Sequence, residues 1–290
     1  MAANALNGFL YRNGKWRNSH LRDPVSILIL NLMPNKEETE KQFLESFDQL
    51  NKDVEITFLF PITHTFKSIP FPTIAQSYAS YDQIVGRSYD GLIVTGAPVE
   101  KLPFKEVDYW QEFQMISSWA TRHTKQSLFE CWAALGGLYN DYEIPKKQLS
   151  KKIFGIYSSS KINKGSDLTK ELTEQDFLIP QSRHSTADIT SSSLPNGLEI
   201  IANNHEIGPL AYYSSTFNRT YITGHPEYEI DTLAKEYFRD LNRNLPIEKP
   251  CNYFVNKDTD QINYSWKETS HKFYQNWLNT LAAKKEGTLL

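Results

Sequence analysis

The sequence has little cysteine and no long hydrophobic run, and each shortage excludes a class of protein. Two cysteines, Cys131 and Cys251, occur in 290 residues, too few for the disulfide framework of a small secreted protein. The longest strongly apolar run, from Ile27 to Leu30, has about four residues, whereas a membrane-spanning helix needs about 20. The first residues lack the basic start and apolar core of a signal peptide. We therefore expect a globular cytoplasmic protein with no membrane partner.

An excess of basic residues is also missing. The chain carries 31 Lys and Arg against 34 Asp and Glu, a net charge of −3, whereas nucleic-acid-binding proteins present a basic surface. Nucleic acid is therefore not an expected partner. The sequence contains no phosphate loop, no dinucleotide-binding glycine fingerprint and no His/Cys cluster at metal-ligand spacing. We expect neither a metal nor a bound cofactor.

Short apolar runs that alternate with helical patterns indicate the fold class. Strands are predicted over residues 26–32 and 54–60, with a helix between them, and such a strand–helix–strand unit implies a parallel sheet. Further strands are predicted over residues 89–96, 127–131, 198–204, 208–215 and 219–224, and further helices over 107–120, from 132, after 225 and around Phe273. The last three strands have the close spacing of hairpins. The sequence thus predicts an α/β protein whose mostly parallel sheet carries added antiparallel strands.

The chain shows no internal domain boundary. Residues 1–23 are polar and without periodicity, so they are predicted to form an N-terminal arm before a single α/β domain over residues 24–290. The polar stretch 158–176 is predicted to be a surface excursion. Cys251 lies in a polar region and is expected to be inert.

Cys131 lies at a predicted strand-to-helix junction, in the segment FECWAALGG. The dipole and free N–H groups of a helix N-terminus favour a thiolate and can also hold an oxyanion. His225 follows the last of the predicted strands and is expected to open a helix at the same edge of the sheet. Glu227 can then orient His225, which gives a nucleophile, a base and its partner. The alternatives are a buried apolar cysteine, a surface histidine and an ordinary first-turn carboxylate.

Other polar residues fit two interpretations. Glu236 and Arg239 are three residues apart, and form either an exposed ion pair or a pair that reaches the active site, where Arg239 holds a substrate carboxylate. Lys36 is either solvated or at the edge of the site, and the same holds for Lys152. The segment 95–98, TGAP, either turns the chain or supplies backbone N–H donors.

Six segments of the chain are specific enough for comparison with a known family: ILNLMPNKEETEKQF, YDGLIVTGAPVE, LFECWA, KKIFGIY, FLIPQSR and TGHPEYEIDTLAKEYFRD. Together they resemble the homoserine O-acyltransferase family of methionine biosynthesis, also called the homoserine trans-succinylases. The resemblance implies a class I glutamine-amidotransferase-like, flavodoxin-like fold. It implies Cys131 as acyl-thioester nucleophile, His225 as general base and Glu227 as its partner. The other residues that it places in contact with substrate or lining the site are Lys36, Lys152, Ser182, Glu236 and Arg239.

The resemblance also bears on the substrates. In the family, a glutamate just after the TGAP segment goes with acetyl-CoA and a glycine with succinyl-CoA; here this residue is Glu100, whose carboxylate would repel a succinyl group. The family's histidine before the Ser-Arg pair is Gln181 here, and residues 269–271 lack the family's arginine. Some divergent members with this pattern acetylate L-serine, which differs from L-homoserine by one methylene, worth only ~1–3 kcal/mol of discrimination. We therefore slightly favour L-serine as acceptor, with L-homoserine as the alternative, and family analogy suggests a homodimer.

The implied reaction is a double displacement. The Cys131 thiolate takes the acetyl group from acetyl-CoA, and His225 then deprotonates the hydroxyl that attacks the acetyl-enzyme. The N–H of Trp132 is a candidate oxyanion donor. A glutamine amidotransferase or cysteine hydrolase is disfavoured because Trp132 and Ala133 follow Cys131 instead of a glycine pattern. A non-catalytic binding protein is disfavoured because none of the three candidate catalytic residues is missing.

Overall fold

A nine-stranded sheet runs through the centre of the computed structural model, which describes residues 1–189, 193–256 and 259–282. Two further strands, β6 and β8, pair with each other beside it. The strands are β1 (Ala3–Ala5), β2 (Val25–Leu30), β3 (Val54–Leu59), β4 (Tyr89–Val94), β5 (Thr124–Glu130), β6 (Lys146–Ser158), β7 (Lys161–Ile162), β8 (Leu178–Ala187), β9 (Leu198–Asn204), β10 (Gly208–Ser214) and β11 (Arg219–Ile222).

The order of strands in the large sheet is β1-β3-β2-β4-β5-β11-β10-β9-β7. The strands from β1 to β11 in this order are mutually parallel, and β10, β9 and β7 are added as antiparallel neighbours. This arrangement confirms the predicted α/β fold class. After β2 the chain adds β3 on one side of the β2–β4 pair, and after β4 it adds β5 on the other side. Such a reversal of strand order opens a crevice at the carboxyl ends of the strands.

Helices cover both faces of the sheet. Within β2, Ile27 and Ile29 face the layer that contains α2 and α8, whereas Leu28 and Leu30 face the layer that contains α5 and α6, as the alternation of a strand requires. None of the described helices is long and apolar enough to cross a membrane. The helices are α1 (Phe9–Arg12), α2 (Lys36–Asp48), α3 (Phe71–Ser77), α4 (Tyr81–Ile84), α5 (Trp110–His123), α6 (Trp132–Tyr142), α7 (Thr232–Asn242) and α8 (Lys267–Ala282).

The first residues are more ordered than their sequence suggests. Residues 1–23, expected to be an aperiodic arm, contain β1, which pairs with β3, and α1. The carboxylate of Glu40 accepts hydrogen bonds from the N–H groups of Phe9 and Leu10, at 2.8 and 2.7 Å. Residues 1–23 therefore hold structure that the sequence did not predict, because long-range contacts order a segment that has no period of its own.

Three other local expectations also need correction. The long hairpin of β6 and β8 was not predicted, because its first strand is largely polar and exposed. The excursion over 158–176 is not wholly on the surface, since Ile162 and Leu168 are buried. Helix α7 begins at Thr232 rather than at His225.

Candidate active site

Cys131 lies on a sharp turn between β5 and α6. Its backbone has φ 49° and ψ −114°, a conformation that residues with a side chain rarely adopt and that is often found at functional sites. The turn is held because the Cys131 N–H donates to the carbonyl of Ile222 at 2.8 Å. Trp132 is the first residue of α6, so its N–H is among those that a helix leaves without an internal partner.

Gly96 follows the neighbouring strand β4 and approaches Cys131 and His225 very closely. A Cβ atom at this position would lie 3.1 Å from Cε1 of His225 and 3.2 Å from Cβ of Cys131. The lack of a side chain therefore lets the backbone of the TGAP segment approach Cys131 and His225. The carboxyl ends of three adjacent parallel strands, β4, β5 and β11, bring these residues together.

His225 and Glu227 form a buried hydrogen-bonded pair. Nδ1 of His225 lies 2.7 Å from Oε1 of Glu227, and each residue is 3% exposed. The bond uses Nδ1, which leaves Nε2 for the side chain of Cys131. Burial alone would lower the pKa of His225, but the charges of Cys131 and Glu227 together with hydrogen bonds to both raise it well above its usual value. This electrostatic environment favours the charged, imidazolium form of His225.

Glu130, which precedes Cys131, is a second buried carboxyl group that the sequence analysis missed. Its side chain is fully buried, and Oε1 accepts a hydrogen bond of 2.9 Å from the hydroxyl of Tyr274. Burial raises the pKa of Glu130 well above its usual value, and the charge of Glu227 is the second cause of this increase. The sequence signal for Glu130 was the presence of a charged residue at the end of a buried apolar strand.

Three donors converge on Glu236. Oε2 accepts hydrogen bonds from Oγ of Ser182 at 2.6 Å and Nζ of Lys152 at 3.3 Å, and Oε1 accepts one from the hydroxyl of Tyr228 at 2.7 Å. Tyr228 also stacks on His225. The structure thus brings three predicted site residues together and adds Tyr228, whose position three residues after His225 was the only sequence signal.

A cleft of about 1130 Å³ lies beside this cluster, and Lys36, Tyr228, Glu236 and Arg239 contribute to its walls. Nζ of Lys36 donates to the carbonyl of Asn31 at 2.6 Å. Burial lowers the pKa of Lys36 to about 7, although the nearby charge of Glu40 acts in the opposite direction. Lys36 is therefore buried, and the solvated interpretation is wrong.

Arg239 and Glu236 do not form the simple ion pair that their spacing allows. Nε of Arg239 donates to Oδ1 of the adjacent Asp240 at 2.7 Å, and the Arg239 side chain is 50% exposed. Its guanidinium is thus at the wall of the cleft and accessible to a ligand. Among the residues that the structure describes, no group of three or more His, Cys, Asp or Glu side chains could hold a metal ion.

Glu100 lies against β8. Its carboxylate accepts a hydrogen bond from the N–H of His184 at 2.7 Å. The neighbouring Arg183 is 1% exposed and experiences the charges of both Cys131 and Glu100. The charges of Glu100 and Cys131 therefore both act on one buried arginine.

Two solved glutamine amidotransferases share this fold. The structure matches that of the Thermotoga maritima protein with a TM-score of 0.55 and 14% identity, covering 90% of this chain and 99% of that chain. It matches that of the Methylobacillus flagellatus protein with a TM-score of 0.53 and 9% identity, covering 89% and 94%. The molecule is therefore an α/β protein of the class I glutamine-amidotransferase-like fold, with a cysteine–histidine–glutamate cluster at the carboxyl ends of its parallel strands.

Sequence comparison is more specific than the fold. A sequence model of the homoserine O-succinyltransferase family matches residues 7–287, and the chain belongs to this family. It is 40% identical over 257 residues to the homoserine O-acetyltransferase of Thermotoga petrophila, covering 88% of this chain and 84% of that protein. It is 38% identical over 257 residues to the homoserine O-acetyltransferase of Bacillus licheniformis, covering 88% and 85%.

Proposed function

We propose that this chain is an O-acetyltransferase that moves the acetyl group of acetyl-CoA to the side-chain hydroxyl of L-homoserine. The observation that carries the proposal is the contact of Cys131, on its strained turn, with the His225–Glu227 pair. The relatives named homoserine O-acetyltransferase support the acceptor. They do not support the slight preference for L-serine, which depended on Gln181 and residues 269–271.

The reaction proceeds through an acetyl-cysteine. The Cys131 thiolate attacks the thioester carbonyl carbon, the bond from that carbon to the CoA sulfur breaks, and His225 protonates the leaving thiolate. The homoserine hydroxyl then attacks the acetyl-enzyme and gives its proton to His225. The new C–O bond forms as the bond to Sγ breaks, which restores the thiolate–imidazolium pair. The N–H of Trp132, and a donor from the Gly96 or Lys36 segment, stabilise the oxyanion of each tetrahedral intermediate.

The acceptor occupies the cleft beside Tyr228. Arg239 binds its α-carboxylate, because a guanidinium pairs with a carboxylate through two parallel hydrogen bonds. Glu236, with Ser182 and Lys152 beside it, receives the α-ammonium group. Lys36 lines the opposite wall.

The donor is acetyl-CoA rather than succinyl-CoA. Glu100 and Cys131 both act on Arg183, which supports a place for Glu100 near the acyl group. A succinyl group would bring a second carboxylate close to Glu100, and like charges in a poorly solvated pocket repel strongly. The relatives' names favour acetyl transfer as well.

A thiol-release assay tests the proposal with acetyl-CoA and succinyl-CoA, each against L-homoserine and L-serine. We expect the fastest release for acetyl-CoA with L-homoserine. Mass spectrometry without acceptor should find one acetyl group on Cys131 and none on the Cys131→Ala variant. Faster release with L-serine would reassign the acceptor, and glutamine hydrolysis without acyl transfer would assign the chain to amidotransferase chemistry instead.

A further inference from the structure

Glu130 is a carboxyl group in an apolar layer. Along β5, Leu128 packs with the layer that contains α2 and α8, and Phe129 packs with the opposite layer. Strand alternation therefore turns Glu130 towards α2 and α8, where it meets Tyr274 of α8. The residue is fully buried and immediately precedes the nucleophile. An apolar side chain would suit this position better if packing were its only task.

Two buried carboxylate oxygens near the nucleophile are without partners. Glu227 uses Oε1 to bind His225, and Glu130 uses Oε1 to bind Tyr274. Among the described residues, Oε2 of Glu130 and Oε2 of Glu227 have no hydrogen-bond partner. Glu227 and Tyr274, the partner of Glu130, line one pocket, so the two carboxyl groups lie in the same part of the site. Free oxygens on two neighbouring buried carboxyl groups are unfavourable unless one group supplies a proton.

Charge balance indicates which group carries that proton. Glu227 is hydrogen-bonded to His225, whose pKa is raised well above its usual value, whereas Glu130 is hydrogen-bonded only to a phenol hydroxyl. If Glu130 were also ionised, one imidazolium would face two carboxylates and a thiolate in a site that excludes water, which is strongly unfavourable. A neutral Glu130 removes one of these charges and provides a donor for the other carboxyl group.

We propose that Glu130 is a neutral carboxyl group that donates its proton to Oε2 of Glu227, and is thereby a positioning residue for the cysteine–histidine–glutamate cluster. It fixes the carboxylate that orients His225 and stabilises its charged form. Glu130 touches neither substrate nor the reacting atoms. The inference rests on the proposed function only in that Cys131 acts as a nucleophile with His225.

Alkylation of Cys131 by iodoacetamide tests this role without any substrate. The pH dependence of the rate, followed at Cys131 by peptide mass spectrometry, reports the thiolate–imidazolium pair. Glu130→Gln keeps both bonds, because its amide can donate to Glu227 and accept from Tyr274, so its profile should follow that of the unmodified protein. Glu130→Leu removes the donor and should slow alkylation about tenfold at mildly acidic pH. Tyr274→Phe is the matched control, since it removes a bond to Glu130 but leaves the donor to Glu227.

Carbon NMR of glutamate carboxyl groups gives a second readout. One resonance should stay at its protonated position through neutral pH, persist in Tyr274→Phe and be missing in Glu130→Gln. The proposal is wrong if no such resonance disappears, if Glu130→Leu alkylates as the unmodified protein does, or if Glu130→Gln speeds alkylation, as removal of a negative charge would. Neither readout needs acetyl-CoA or homoserine, so failure here is distinct from failure of the thiol-release assay.

Discussion

The imidazole ring of His225 stacks on the ring of Tyr228, with centroids 4.1 Å apart and planes inclined by 17°. The hydroxyl of the same tyrosine donates a hydrogen bond to Glu236. Tyr228 therefore contacts both His225 and the carboxylate that we assign to the acceptor's ammonium group. Its ring and its hydroxyl act on different parts of the site.

Replacing Tyr228 by phenylalanine should separate these two contributions. The ring remains, so acylation of Cys131 should stay close to its normal rate. Loss of the hydroxyl leaves Glu236 less well held, and we expect transfer to the acceptor to fall about tenfold. Rapid-quench measurement of both half-reactions checks this result. Tyr228→Leu, which removes the ring, should slow acylation as well, and equal slowing of both steps by Tyr228→Phe would contradict the assignment.

Arg239→Ala should impair the second half-reaction more than the first. A desolvated bidentate pair with the acceptor's carboxylate is worth about 2–4 kcal/mol, whereas acetyl-CoA has no α-amino acid group to bind. The acetyl-enzyme should accumulate, and Arg239→Lys should restore activity only in part. Asp240→Asn is the control, because it loosens the one partner of Arg239 described above and keeps the guanidinium. Unchanged transfer in Arg239→Ala would remove this residue from the acceptor site.

Glu100→Gly should let succinyl-CoA act as a donor. It removes both the charge and the volume that exclude the longer acyl group, and the ratio of kcat/KM for the two donors measures the change. Glu100→Gln separates the causes, since it keeps the volume and can still accept from the N–H of His184. If charge is the main cause, Glu100→Gln should already gain activity with succinyl-CoA. No gain in either variant would place Glu100 outside the acyl pocket.

Lys36→Met should stabilise the protein at pH 6 and less so at pH 10. With the pKa of Lys36 lowered to about 7, the unfolded chain binds a proton that the folded chain lacks between about pH 7 and 10.4. The free-energy cost of burying the charged Lys36 side chain is therefore largest below pH 7 and decreases as pH rises. We expect a gain in unfolding free energy on the order of a few kcal/mol at pH 6, measured by urea denaturation. Lys41→Met, an exposed change on the same helix, should show no such trend.

The parts of the fold that could be predicted are those with a visible local period. The continuous apolar runs of β2 and β4 indicate strands buried on both faces, and the spacing of Phe43 and Phe47 indicates α2. The strand β1 could not be predicted, because its three residues carry no period, and pairing with β3 and hydrogen bonds to distant residues such as Asp48 hold them. The strand β6 could not be predicted either, because its lysine-rich half is mostly exposed.

The candidate site likewise contains residues that the sequence predicts and residues that it does not. Cys131, His225 and the glycine of the TGAP segment each follow a strand of the parallel sheet, so chain order alone predicts that they share an edge. Glu130 and Tyr228 were missed because their roles depend on neighbours distant in sequence or on the path of a loop. A glutamate at the end of an apolar strand shows only that a charge is buried there, and three-dimensional contacts are needed to identify its partner.

The pairing of β5 with β11 determines when the nucleophile becomes reactive. Glu130 lies opposite Ile222, about ninety residues further along the chain, and contacts of such separation form late in folding. During synthesis at about 5–20 residues per second, the segment that carries Cys131 emerges several seconds before the strand that places His225. Until then the thiol has no imidazole beside it. A growing polypeptide therefore has only the reactivity of an ordinary thiol at Cys131, and assistance from His225 arises only when β11 pairs with β5.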